Sequence, residues 1–114
     1  MTLREQQSLF VKLTADFIQW VYANGYELTF SEAWRSPQEA ALQAKIGAGI
    51  AHSLHTERLA IDLNLFKNGA NLVGREAYLP LGLKWKSMHP LARWGGDFAR
   101  VDADHFSLTW QGVS

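Results

Sequence analysis

The sequence predicts an α+β fold in which about three helices pack on a small, mostly antiparallel sheet. Some segments have apolar residues at helical spacing, and others alternate apolar and polar residues as half-buried strands do. The two kinds of segment follow one another along the chain. Few segments are long enough for the crossovers of a parallel sheet, so antiparallel pairing is favoured. With 114 residues and 47% hydrophobic content, residues 1–114 are predicted to form one domain around a single core.

The first helix is predicted over about residues 3–24. Thr2 and Glu5 have the spacing of a capping box, in which the hydroxyl reaches forward and the carboxylate reaches back. Apolar residues then recur at helical spacing, and Gly25 is a natural stop. The next segment, residues 26–34, has the aromatic and β-branched content of a strand.

A second helix is predicted to begin after Ser36, because Ser, Pro and Glu occupy the cap, the first and the third helical positions. Residues 59–66 alternate cleanly between apolar and less apolar side chains. This pattern predicts a half-buried strand with Asp62 on its less apolar face. Residues 67–69 then form a turn.

The last third of the chain is predicted to contain one helix, one loop and one strand. The helix lies within residues 78–89, although Pro80 obscures where it begins. Residues 94–98 (WGGDF) are interpreted as a loop with an aromatic side chain on each side of a flexible glycine pair. Residues 105–110 alternate again and form the final strand.

Composition excludes several classes of function. Eleven basic residues balance eleven acidic ones without a basic stripe, so no nucleic-acid partner is expected. The chain contains no cysteine, so any metal ion would have to be held by His and carboxylate side chains. No apolar run approaches the ~20 residues that span a bilayer, and the N-terminal segment lacks the features of a secretory signal. We therefore expect no membrane insertion and synthesis in the cytosol.

Four residues in two clusters carry most of the functional information: His55 with Asp62, and Asp102 with His105. Two imidazoles and one carboxylate make a set of three zinc ligands, and a second carboxylate is what a zinc hydrolase needs as a base. Asp62 also lies within an apolar strand, where a buried carboxylate requires a partner. Seven residues separate His55 from Asp62, so a turn around residues 56–58 is needed to bring both to one face.

These motifs resemble a known family of zinc peptidases. Ser53-x-His55, Ala60-x-Asp62 and Asp102-x-x-His105 are similar to the motifs of the VanY, D-alanyl-D-alanine carboxypeptidase and L-alanyl-D-glutamate endopeptidase group. Small phage endolysins of the last type resemble the chain most. The segments WGGDF at residues 94–98 and EAWRSPQ at residues 32–38 resemble two further segments of the group.

The resemblance implies a Hedgehog/DD-peptidase-like fold and a zinc site. It assigns one zinc ion (Zn2+) per chain to His55, Asp62 and His105, with Asp102 as the general base. It also assigns to Arg35 the binding of the scissile carbonyl oxygen or of a substrate carboxylate, which suits a permanently charged side chain.

Asp104 is the rival for the role of base. As the neighbour of His105 on a strand, Asp104 is expected to point away from the metal. Asp102 needs a turn to reach the site, so alternation does not favour it, and its assignment depends on the family pattern.

Four further residues are predicted to contact substrate. Ser53 is expected to hydrogen-bond a ligand or the substrate, and Asp97 to line the groove. Trp94 is assigned either to the groove or to the core. Arg58 occupies a position where the family commonly has Gly, so the turn either avoids a glycine-only conformation or places Arg58 under strain. Arg58 is also a candidate to bind a substrate carboxylate.

The resemblance implies a zinc-dependent peptidoglycan peptidase that cuts the L-Ala–D-Glu bond of the peptide stem. Two alternatives are a carboxypeptidase or dipeptidase acting on D-Ala ends, and a zinc-bearing wall-binding module without activity. For an endolysin we expect a monomer, without calcium control, that waits in the host cytoplasm. It would reach the cell wall through a membrane pore.

Overall fold

Helices and strands alternate along the chain, as the sequence predicts for an α+β fold. The structure is a computed structural model that describes residues 1–34, 36–45 and 54–114. Three α-helices, five strands and one 3-10 helix occur within these residues. In chain order they are α1 (Leu3–Ala23), β1 (Glu27–Glu32), α2 (Pro37–Lys45), β2 (Ala60–Lys67), β3 (Ala70–Leu72), α3 (Arg75–Met88), β4 (Ala92–Trp94), the 3-10 helix (Gly95–Asp97) and β5 (His105–Leu108).

Local signals determine how the helices begin. The capping box of α1 is confirmed: the Glu5 amide donates to Thr2 Oγ1 at 3.1 Å, and the Thr2 amide donates to Glu5 Oε1 at 2.9 Å. Helix α3 begins at Arg75, before the predicted region, and continues through Pro80. The proline removes only one helical N–H donor there. In the described part of the chain, no helix is long and apolar enough to cross a membrane.

The sheet is antiparallel throughout its described strands, with the order β1-β2-β5-β4 and with β3 also paired to β2. The short strands β3 and β4 were not predicted, because three residues are too few to show an alternating pattern. The Asn68-Gly69 pair gave a usable signal for β3. Both residues have positive φ, at 52° and 79°, which is typical of a two-residue hairpin turn.

The core lies between one face of the sheet and the helices α1 and α3. Phe17 of α1 contacts Trp85 of α3 and Phe106 of β5, with ring centroids 5.3 Å and 5.0 Å away, and all three side chains are fully buried. Because neighbouring side chains on a strand point to opposite faces, His105 points away from this core. Asp62 in β2 lies directly opposite His105 and shares that face.

Candidate metal centre

The structure brings together the three predicted metal ligands. His55, Asp62 and His105 each offer one ligand atom, and these atoms lie within 4.8 Å of one another. Asp62 Oδ1 lies 3.3 Å from His55 Nε2 and 3.5 Å from His105 Nδ1. Both imidazoles are buried, and their rings meet edge to face with centroids 5.2 Å apart.

These distances fit a metal ion with tetrahedral coordination. Bonds of ~2.0–2.2 Å from zinc to nitrogen and oxygen place two tetrahedral ligands ~3.3–3.6 Å apart. Asp62 Oδ1 is buried and accepts no hydrogen bond from any described residue. A buried carboxylate oxygen without a donor is costly, and a cation would satisfy it. Two imidazoles and one carboxylate are also ligands that suit zinc.

The ladder of strands determines where two of the ligands lie. Asp62 stands opposite His105 in the pairing of β2 with β5, and opposite Glu32 in the pairing of β2 with β1. Residues directly opposite each other in an antiparallel pair have side chains on the same face. Glu32, Asp62 and His105 therefore form a row across three neighbouring strands.

The predicted turn brings His55 over this row. The Leu59 amide donates to the Leu54 carbonyl at 2.9 Å, and the Arg58 amide approaches the His55 carbonyl at 3.3 Å. Arg58 has φ of 59°, in the left-handed region that favours glycine. Of the two expectations for this departure from the family pattern, strain at Arg58 is the one that the structure shows. Gln7 Nε2 ties the turn to α1 by donating to the Glu57 carbonyl at 2.8 Å.

Asp104 lies close to Asp102, and the expectation that it points away from the site was wrong. Asp62, Asp102 and Asp104 each place a carboxylate oxygen within 4.8 Å of the others. The physical reason is that Asp104 belongs to a turn that precedes β5, so strand alternation does not apply to it. Asp102 is exposed, and its Oδ2 lies 3.8 Å from His105 Nδ1. Both candidate bases are thus near the ligands.

Two carboxyl groups of this cluster have shifted pKa values in opposite directions. Burial raises the pKa of Asp104, the neighbouring carboxylates Asp102 and Asp62 raise it further, and it reaches about 7. Burial also opposes ionisation of Asp62, but the imidazoles of His105 and His55 outweigh it and lower the pKa of Asp62 to about 2. Asp62 is therefore ionised at neutral pH.

The glycine pair after Trp94 permits close packing, and its interpretation as a flexible loop was wrong. Gly95 and Gly96 are buried in the 3-10 helix. A Cβ on Gly96 would overlap the Trp94 indole, and a Cβ on Gly95 would overlap the Asp102 carbonyl oxygen. The Asp102 amide donates to the Gly95 carbonyl at 2.9 Å, so this contact holds the Asp102 segment beside the ligands.

Trp94 belongs to the core, which is the second of the two places expected for it, and it does not line a groove. The side chain is fully buried, and its Nε1 donates to the Ala103 carbonyl at 2.7 Å.

Asp97 forms ion pairs with two cations: Lys86 Nζ lies 2.7 Å from Oδ2, and Arg75 Nη2 lies 3.4 Å from Oδ1. The Lys86 ammonium in particular holds the pKa of Asp97 below its ordinary value.

The remaining predicted substrate residues divide into two groups. Arg58 is exposed, and its guanidinium carbon lies 5.1 Å from the centroid of the half-exposed Trp34 ring. Arg35 and Ser53 lie outside the described residues. The sequence interpretation missed Glu32, whose Oε1 lies 3.8 Å from His55 Nδ1. Its position within the strand β1 gave no signal, because an acidic residue at a strand end is usually a solvated one.

A comparison with solved structures identifies a protein with the same fold. The chain is similar to the Serratia marcescens L-Ala D-Glu endopeptidase ChiX, with a TM-score of 0.74 and 19% sequence identity over 88% of this chain and 77% of that chain. No protein-family model and no curated protein matches the sequence. The chain thus shares the fold of that endopeptidase, and the predicted α+β class with helices on a small antiparallel sheet is confirmed.

Proposed function

We propose that this protein is a zinc-dependent peptidoglycan peptidase that hydrolyses the L-Ala–D-Glu bond of the peptide stem, in the manner of a phage endolysin. The observation that carries the proposal is the convergence of His55, Asp62 and His105 within 4.8 Å, with two further carboxylates beside them. The fold that it shares with an L-Ala D-Glu endopeptidase supports the same reaction class. Fold alone would not be sufficient, since one fold hosts many activities.

The three ligand residues would hold one zinc ion and leave a position open to solvent. When bound, zinc supplies a Lewis acid that polarises an amide carbonyl and lowers the pKa of a water molecule to ~7. The ionised Asp62 carboxylate supplies the negative charge for the cation. Burial of both imidazoles keeps their rings fixed, because each has few alternative rotamers in a packed environment.

Asp102 is the proposed general base. Its carboxylate is exposed, and its Oδ2 lies 3.8 Å from Nδ1 of the ligand His105, so a water molecule at the metal would be within its reach. Asp102 would accept the proton of that water molecule and then deliver it to the leaving amine. Arg35, from the segment after β1, is proposed to hold the carbonyl oxygen as negative charge develops on it.

Arg58 is proposed to bind a carboxylate of the peptide stem. The bond in question joins L-Ala to D-Glu, so an anionic side chain or terminus lies next to the cleavage point. The Arg58 guanidinium carbon lies 5.1 Å from the centroid of the Trp34 ring, a cation–π contact that supports the position of the charge. Its backbone strain in the turn beside His55 is consistent with a functional role, since strained residues cluster at functional sites.

We further propose that the protein acts as a monomer and reaches the wall from the host cytoplasm through a membrane pore. The test of the reaction is mass spectrometry of purified Gram-negative peptidoglycan after incubation with zinc-loaded protein, with an EDTA-treated sample as the control. New amino-terminal D-Glu that is absent with EDTA is the expected result. Free D-Ala would instead indicate a carboxypeptidase, and no cleavage despite one bound zinc would indicate a binding module.

Two substitutions separate the roles of the neighbouring carboxylates. Asp102→Asn is expected to lower the cleavage rate by ~10²–10⁴-fold while zinc is retained, because a general base contributes about that much. Asp16→Asn, at an exposed position of α1, is the matched control and should leave the rate unchanged. If Asp104→Asn abolishes cleavage and Asp102→Asn does not, the two assignments must be exchanged.

A further inference from the structure

Glu32 lies behind His55, on the side of the ring away from Asp62. Its Oε1 is 3.8 Å from His55 Nδ1, while His55 Nε2 is 3.3 Å from Asp62 Oδ1. The imidazole therefore lies between two carboxylates, one at each nitrogen. The His55 side chain is only 4% exposed, so both contacts lie where water screens charge weakly.

A register shift in the sheet puts Glu32 there. Strand β1 pairs Phe30 with Leu63, so regular pairing would bring Ser31 opposite Asp62. An irregularity between Phe30 and Glu32 instead places Glu32 opposite Asp62. Bulges of this kind are common next to functional sites, where the extra residue re-aims a side chain. Here the extra residue replaces a hydroxyl with a carboxylate beside the candidate ligands.

This arrangement brings two acids to neighbouring positions on one face of the sheet. Like charges directly opposite each other in an antiparallel pair are destabilising, and the side chains of Glu32 and Asp62 are only 26% and 15% exposed. The His55 ring contacts both carboxylates, Glu32 at Nδ1 and Asp62 at Nε2. A proton on Nδ1 would face Glu32, which leaves the lone pair of Nε2 facing Asp62 and the other ligand atoms.

We propose that Glu32 is a positioning residue of the metal site, which accepts a hydrogen bond from the Nδ1–H group of His55 and so keeps Nε2 unprotonated and directed at the metal. A carboxylate behind a ligand His fixes its tautomer and orientation and increases its basicity. The inference rests on the metal ion of the proposed function and is independent of the substrate and of the bond cut.

The first test measures zinc affinity by competition with a chromogenic chelator. Glu32→Ala is expected to weaken zinc binding 10–100-fold, the usual effect of losing such a partner. Glu32→Gln should weaken it less, because the amide oxygen still accepts the hydrogen bond. Glu27→Gln, an exposed acid at the other end of β1, is the matched control and should bind zinc like the unchanged protein. Circular dichroism and thermal melts identify any variant that fails to fold.

The second test needs no variant and remains decisive if Glu32→Ala does not fold. Long-range proton–nitrogen NMR correlation on the metal-free, ¹⁵N-labelled protein should show neutral His55 protonated at Nδ1, because no metal ion then imposes the tautomer. Protonation at Nε2, or a folded Glu32→Ala protein that binds zinc within twofold of the unchanged one, would overturn the proposal. If the unchanged protein binds no zinc, the proposed function fails as well. If it binds zinc and cleaves peptidoglycan while Glu32→Ala has the same affinity, only the role of Glu32 is refuted.

Discussion

Replacing Gly95 with alanine should displace the metal ligands without altering any of them. Gly95 lies in the 3-10 helix, a backbone conformation that alanine adopts readily, so the effect of the new methyl group is steric. An ideal Cβ at this position would overlap the Asp102 carbonyl oxygen and would lie 2.8 Å from His105 Cβ. The change therefore acts on a candidate base and a candidate ligand together.

The size of the effect follows from these contacts. Carbon atoms in favourable contact lie ~3.5–4.0 Å apart, so His105 Cβ or the 3-10 helix must move by roughly 0.7 Å or more. Metal–ligand distances tolerate only ~0.2 Å. We expect zinc affinity to fall at least ~10-fold, or about 1.4 kcal/mol, and the free energy of unfolding to fall by about 1–3 kcal/mol because of overpacking.

Chelator competition measures the affinity, and urea denaturation measures the stability of the metal-free protein. Gly96→Ala is the matched control, because the three atoms nearest to its methyl group would all belong to the Trp94 indole. That variant should lose comparable stability with a smaller loss of zinc affinity. A folded Gly95→Ala protein with unchanged zinc affinity would show that this close approach does not position the site.

Three further predictions concern the turn, the acidic cluster and the metal. Arg58→Gly should be more stable than Arg58→Ala by about 1 kcal/mol in urea denaturation, because only alanine keeps the left-handed strain; equal stability would contradict the positive φ. Because folding raises the pKa of Asp104 from 3.8 to about 7, the folded form binds its proton more tightly. Taken in full, this shift corresponds to a loss of roughly 3 kcal/mol between pH 4 and 7. Solvent screening of the partly exposed carboxyl reduces the loss expected for the metal-free protein to about 2 kcal/mol, with little further loss above pH 7. Asp104→Asn should reduce this loss in parallel urea titrations; an unchanged slope would refute the shift. Zinc at 100 times its Kd should stabilise the fold by about 2.7 kcal/mol in thermal melts, and His105→Ala should remove this gain; a gain that persists would place the metal elsewhere.

Local sequence patterns predicted the elements whose residues interact mainly with near neighbours. The capping box at Thr2 and Glu5 is a contact over three residues, so the sequence contains both partners. The strand β2 was predicted because its alternation matches the two faces of a half-buried strand. Asp62 was recognised because a carboxylate within an apolar strand needs a partner.

Other features depend on which segments meet. Trp94 was ambiguous in sequence, and its burial is decided by glycines at positions 82 and 96 that leave room for the indole. The strands β3 and β4 exist because β2 and β5 provide partners, since three residues have too little pattern of their own. Asp104 approaches the cluster because the chain turns immediately before β5.

The sequence by itself determined the fold class, the main helices, the strand β2 and the ligand set, because periodicity, caps and donor chemistry are properties of short segments. Only the tertiary structure decided that Glu32 stands behind His55 and that Asp104 joins Asp102. The first depends on a shift of one residue in the pairing of two strands, and the second on where a turn ends. The pairing of β1 with β2 joins segments far apart in the chain, and the turn before β5 follows no alternating pattern, so no local periodicity signals either feature.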